Sequence, residues 1–174
     1  MTKMKTHFGS GDFARVAPTL DPQVPERLIH KQVAHGDPDR SADFSAARKH
    51  PVHVVDLPSR VLSVTIGELL PGQSSRRHRH NYETILYVIS GSGRTHIGDR
   101  IVEWTQGDAV YIPIWSWHSH ANASEHEKAV YLACENAPML QNLGIALREE
   151  AEAMDSEGQG AAVTTERVAT GGLR

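Results

Sequence analysis

The 174-residue sequence contains one cysteine, Cys134, which excludes an internal disulfide and any metal site built from several thiolates. Cys134 ends the apolar stretch that begins at Ala129, where a buried, inert thiol is expected rather than a nucleophile. Strong charge of either sign is also missing. A net charge of −3 gives no general reason to expect nucleic acid or an anionic membrane as partner. No apolar run approaches transmembrane length, and Met1 to Ser10 lacks the apolar core of a secretion signal, so a cytoplasmic protein is the expectation. No internal repeat and no helix-turn-helix pattern occur.

The length suits one domain with extensions. Residues 1–50 are polar, rich in proline and without sustained period. They read as an N-terminal arm, with one short strand near Leu28-Ile29-His30. Residues 51–136 read as a β-rich core. Val61 to Ile66 is rich in β-branched residues, and Thr84 to Ile89 is a strand stopped by Ser90-Gly91-Ser92-Gly93. Gly98-Asp99 joins Arg94–Ile97 to Arg100–Trp104 as a short hairpin. Further strands are expected at 109–112, 118–121 and 128–134. Short strands separated by glycine turns indicate an all-β, single jelly-roll barrel. Leu140, Leu143, Leu147 and Ala151 fall at helical spacing, so 137–154 reads as a short C-terminal helix. Gly, Ala, Thr and Ser dominate 155–174, which reads as a flexible tail.

Histidine is plentiful, and three of the eleven have a pattern. His78 and His80 lie in Arg76-Arg77-His78-Arg79-His80, and His118 ends Pro113-Ile114-Trp115-Ser116-Trp117-His118. Residues i and i+2 of a strand share a face, so His78 and His80 converge, and a neighbouring strand can deliver His118. Three neutral imidazoles on one side of a metal leave coordination positions open, an arrangement for chemistry.

The flanking residues resemble the two motifs of the cupin superfamily. Gly72, His78, His80 and Gly91 fall in the spacing of the first motif, and Gly107, Pro113, His118 and Asn122 in that of the second. Two departures stand out. Trp115 replaces a glycine, and Thr84 occupies the place of the usual glutamate ligand, with Glu83 one position early. The likeness spans roughly residues 60–135 and implies the jelly-roll fold. A histidine triad without glutamate is similar to gentisate, acetylacetone and dihydroxyacetophenone dioxygenases. That similarity implies Fe(II), although Zn, Ni or Mn suit the same nitrogens.

Most of the remaining candidates keep more than one reading. Glu83 is a fourth ligand, a catalytic group that takes a substrate proton or orients an imidazole, or an outward side chain. Thr84 faces inward as part of the substrate pocket. His120 shares parity with His118 and is either a proton shuttle or a satisfied buried histidine. Arg76 clamps a substrate carboxylate or enolate, or lies at the rim in solvent. Trp115 and Trp117 are aromatic pocket walls or packing at the barrel edge. Trp104 reads as edge or interface packing, and His96 is a weak cavity candidate.

Three functions are compatible with these residues. The first is a dioxygenase that cleaves a carbon–carbon bond of a chelating hydroxylated aromatic or diketone-like substrate with O2. The second is a non-oxidative metal-dependent isomerase or lyase. The third is a non-catalytic module that binds a small ligand. A homodimer or higher homo-oligomer is expected, with the arm covering exposed sheet edges.

Overall fold

The computed structural model describes residues 9, 11, 13, 23–35 and 38–151. The elements are helix α1 (Pro38–Arg48), strands β1 (Val52–Val54), β2 (Ser63–Leu69), β3 (His78–His80), β4 (Thr84–Ser90) and β5 (Ser92–Ile97). There follow β6 (Arg100–Thr105), β7 (Ala109–Ile112), β8 (His118–Asn122), β9 (Ala129–Glu135), α2 (Ala137–Asn142) and β10 (Arg148–Glu150). They form two five-stranded antiparallel sheets in the orders β1-β2-β9-β4-β7 and β10-β3-β8-β5-β6. The expected all-β jelly-roll architecture is therefore what the chain adopts, as two facing sheets. No described helix is long and apolar enough to cross a membrane.

Alternation decides which residues meet between the sheets. In β4, Thr84, Leu86 and Val88 are buried while Ile85, Tyr87 and Ile89 face outward. The core joins Leu69, Leu86, Val88, Val110, Ile112, Ala129 and Tyr131 to Trp104 of the opposite sheet. Trp104 is 3% exposed, so it packs in the core and not at an edge. Its ring lies against Gly93, where an added Cβ would come within 2.2 Å of Trp104 and 2.4 Å of the Ala121 carbonyl oxygen. Glycine is required there by space, not by backbone angle.

The two ends differ from the sequence expectations. The arm contains the 11-residue helix α1, begun by Pro38, a residue suited to a first helical turn. Among its described side chains only Phe44, Ser45 and Arg48 are half-buried, and two of these are polar, so they leave no apolar period in the sequence. Leu28-Ile29-His30 forms no ladder. That segment is held by a bidentate Arg27–Asp56 pair at 2.7 and 2.6 Å, and by the Asp56 N–H donating to His30 Nδ1. At the other end α2 stops at Asn142, short of residue 154. Gly144 adopts φ +72 and turns the chain, and the backbone of 148–150 then pairs with β3. Leu143 and Leu147 are exposed, so their helical spacing buries no stripe. The expected tail, 155–174, lies outside the described residues.

Candidate metal centre

β3 lies between β10 and β8, with His78 directly opposite His118. The pleat turns His78 and His80 to the same inner face, and β8 brings His118 to them. One ligand nitrogen from each of the three comes within 4.8 Å of the others. The other nitrogen is occupied. His78 Nδ1 donates to the Arg76 carbonyl at 2.9 Å, His80 Nδ1 to Tyr82 at 2.8 Å, and His118 Nδ1 to Ser116 at 2.8 Å. Each bond fixes the tautomer and leaves Nε2 as a free lone pair. The His80 ring is also stacked on Tyr82, with centroids 3.8 Å apart.

Burial keeps these rings neutral. Desolvation pushes His118 down to about 4 and His80 down to about 3, the latter helped by His118. It also carries His78 well below the ordinary histidine range, helped by Arg148. Three neutral, oriented imidazoles fit a divalent ion. Among the described residues no carboxylate joins this group.

The triad opens into a solvent-connected cavity lined by side chains of both sheets. Thr84 and His120 line it, as their parity indicates. Thr95 Oγ1 accepts from Trp104 Nε1 at 2.9 Å and lies 3.0 Å from His120 Nδ1. The buried hydroxyl satisfies its own proton by donating to Nδ1, which leaves His120 Nε2 carrying hydrogen. Desolvation holds His120 neutral, so it offers a fixed hydrogen-bond donor.

Other sequence candidates lie elsewhere. Glu83 is exposed on the outer face, where its carboxylate accepts from Tyr111 Oη at 2.9 Å; strand parity turns it away from Thr84. Trp117 precedes the inward His118 by one residue and faces outward, and Trp115 turns through φ 62. Both rings pack on the Arg79 guanidinium, 4.7 Å from each centroid, and leave the cavity lining to others. Arg79 in turn pairs with the buried Glu149 across the sheet. Arg76 is not in the lining either; its Nε is 3.4 Å from Glu150 Oε2, and β3 begins too late for the parity with His78 to hold. His96 faces solvent.

Sequence reasoning missed the cavity's charged groups. Arg48 at the end of α1 and Arg148 of β10 both reach it, as do Glu135 and His50. Arg148 Nη1 donates to Tyr82 Oη at 3.1 Å and its Nε to Glu150 Oε1 at 2.9 Å. Its Nη2 is buried, close to that same carboxylate oxygen yet without a directed hydrogen bond. Arg48 is lowered to about 10 by burial and then by the charge of Arg148. Desolvation raises Glu135, whose Oε1 accepts from Thr84 Oγ1 at 3.3 Å. His50 is fully committed, donating from Nδ1 to the Arg48 carbonyl and accepting at Nε2 from Tyr131 Oη at 2.7 Å. Parity along β9, where Tyr131, Ala133 and Glu135 share a face, was the available signal for Glu135. Nothing in the sequence marked Arg148.

Comparison with known proteins agrees with this geometry. Over 85 residues the chain is 35% identical to a 5-aminosalicylate 1,2-dioxygenase from Comamonas sp., covering 49% of this chain and 22% of that protein. Over 89 residues it is 34% identical to a 1-hydroxy-2-naphthoate 1,2-dioxygenase from Nocardioides sp. (strain KP7), covering 51% and 23%. The match thus spans less than a quarter of the length of either relative. In fold, the chain resembles a salicylate 1,2-dioxygenase from Pseudaminobacter salicylatoxidans, with TM-score 0.57 at 19% identity over 70% of this chain and 37% of that one. The family model for the cupin domain matches residues 65–134, the stretch that carries both strands of the triad.

Proposed function

We propose that this chain is a dioxygenase that holds Fe(II) on His78, His80 and His118 and cleaves a carbon–carbon bond of a chelating hydroxylated aromatic acid with O2. The observation that carries this reading is the set of three neutral imidazoles, each locked at Nδ1 by a backbone carbonyl, with no carboxylate among them. Zn, Ni or Mn fit the same nitrogens; iron is preferred because the similar proteins are named 1,2-dioxygenases. Bound iron would supply Lewis acidity toward the substrate oxygens and the redox chemistry that O2 requires.

The chain's own residues supply recognition and proton handling. Arg148 and Arg48 give the cavity two guanidinium groups, and Arg148 Nη2, ion-paired with Glu150 Oε1 at 2.8 Å but without a directed hydrogen bond, retains N–H groups to donate to a substrate carboxylate. Those charges favour an aromatic acid over a neutral diketone, and they take the role that Arg76 is too distant to play. Glu135 accepts the proton of the substrate hydroxyl, since a carboxyl raised by desolvation is the stronger base. His120 donates from Nε2 and orients the substrate. Val52, Leu86 and Ala133 form the apolar wall that keeps these contacts dry.

The test is oxygen uptake by protein loaded anaerobically with Fe(II), mixed in turn with hydroxybenzoates, dihydroxybenzoates, hydroxyacetophenones and β-diketones. Stoichiometric uptake with an aromatic acid, lost in His118→Ala, is the expected result. A verified iron-loaded site that takes up no oxygen with any of them overturns the oxidative reading, and isomerase or lyase chemistry at the same metal replaces it.

A further inference from the structure

The seam between the two strands that carry the triad is the least regular part of their sheet. β8 pairs with β5 along its whole length, and β3 does the same with β10. Between β3 and β8, only His78 and His118 pair. The next link, a bridge from Ser74 to Ala121, is out of step with that pair. Ser75, Arg76 and Arg77 lie opposite only Ser119 and His120. A bulge of this kind bends a strand and breaks its ladder locally. Metal–nitrogen distances must still hold to within about 0.2 Å, so the ladder alone does not set the spacing of the two strands.

The outer face of the sheet supplies what the ladder lacks. Arg79 stands on β3 between His78 and His80 and points the opposite way. Its guanidinium lies over two indoles, 4.7 Å from the centroids of both Trp115 and Trp117, within the range of a cation–π contact. Its Nε donates to Glu149 of β10, a carboxylate only 4% exposed. One side chain thus ties together β10, β3 and the loop that leads into β8. Trp117 immediately precedes His118, and between the indoles sits Ser116, whose carbonyl accepts from His118 Nδ1. The Trp115 N–H donates to the His80 carbonyl at 2.7 Å. Trp115 does so at φ 62, in the left-handed region that suits glycine and strains a bulky residue. Glycine would keep that backbone bond without strain, but it would give Arg79 no ring. Backbone strain of this kind collects where function depends on it.

We infer that Arg79, Trp115 and Trp117 form a positioning clamp that sets the spacing of β3 against β8 from outside, and so preorganises His78, His80 and His118 for one metal ion. The inference rests on the metal-holding part of the function proposed above and is independent of the oxygen chemistry. None of the three side chains lines the cavity, so they act on an ion only through the strands. A guanidinium suits the task because it is flat and always charged, and it stacks on aromatic faces while its Nε still pairs with a carboxylate. A lysine offers only a point charge.

Co(II) binding by the full chain tests it, read by calorimetry and by the visible d–d spectrum, which reports ligand geometry. Urea melts of the metal-free protein run beside it. Trp115→Gly is the decisive variant, since it removes one ring and relieves the backbone at the same position. It should bind Co(II) about 10-fold more weakly and with an altered d–d spectrum, while its urea midpoint stays near that of the wild type. Arg79→Lys keeps a charge beside Glu149 and should lose a similar factor of about 10. Trp117→Leu should do the same, and Trp117→Phe, which retains a ring, should restore most of the loss. Wild-type affinity and spectrum in Trp115→Gly and Arg79→Lys overturn the inference. So does an affinity loss that tracks loss of urea stability across all the variants, which assigns the cluster to packing alone. A wild-type chain that takes up no Co(II) refutes the metal reading itself, and the clamp falls with it.

Discussion

Acidification of the metal-free protein should destabilise it steeply, by an amount that follows from the buried histidines. In the folded chain His118 and His80 are pushed down to about 4 and about 3, chiefly by desolvation. In the unfolded chain each returns to about 6.5. Below that value the unfolded state takes up protons that the folded state refuses, so stability falls as pH drops through 6.5 and keeps falling toward the folded values. At about pH 5 each residue has cost about 2 kcal/mol, or about 4 kcal/mol for the pair. His78 and His120 are shifted the same way and add to the loss. His50 is lowered by desolvation as well, and Glu135, raised by desolvation, acts in the opposite sense but is one group against five. Against a total stability of about 5–15 kcal/mol, this brings the metal-free protein close to unfolding. Urea unfolding followed by circular dichroism at about pH 8, 7, 6 and 5 measures it, with chelator and with bound metal. Metal competes with protons for the imidazole lone pairs, so the loaded protein should lose stability at lower pH. Unchanged stability of the metal-free form between about pH 8 and 5 would refute the reasoning, as would identical losses with and without metal.

Other perturbations separate the groups around the triad. His118→Ala should lower metal affinity at least about 100-fold by calorimetry, beyond the 10–100-fold expected when a residue that merely supports a ligand is removed. Arg148→Met should raise KM for an aromatic acid by about 10- to 100-fold, the worth of a charged hydrogen bond, and leave a neutral diketone unaffected in the same assay. Glu83→Gln should leave metal stoichiometry unchanged and stability within about 0.5 kcal/mol, because its exposed carboxylate accepts from Tyr111 Oη on the outer face, away from the triad. Gly93→Ala should cost about 1–3 kcal/mol or more in a denaturant melt, since the new methyl meets the Trp104 ring and a backbone carbonyl.

Legibility in the sequence followed periodicity. Strands with strict alternation, such as Thr84–Ser90, and turns marked by glycine were readable because a period of two and a positive φ leave residue-level signatures. The triad was readable for the same reason: i and i+2 on a strand need no tertiary knowledge. Helix α1 was not readable, because among its described side chains only Phe44, Ser45 and Arg48 are half-buried, a face too polar to make an apolar stripe. The C-terminal leucines had helical spacing, yet Gly144 and the open edge of β3 outweighed it. Arg76 illustrates the limit of parity. The count back from His78 fails because regular strand geometry begins only at His78. Arg148 and Arg48 are close in space and 100 positions apart in sequence, and only the folded chain brings them together.

The cavity draws on two kinds of chain. Residues 65–134 contribute the three imidazoles, whereas Arg48, His50 and Val52 arrive from before that stretch and Glu135 and Arg148 from after it. Inheritance of the ion-holding part and inheritance of the charged walls are thus separable. Substitutions in the flanks can redraw the chamber while the imidazoles stay where they are. A lineage built on this plan can change what it accepts without rebuilding what it does, and two chains alike over 65–134 need not share a ligand.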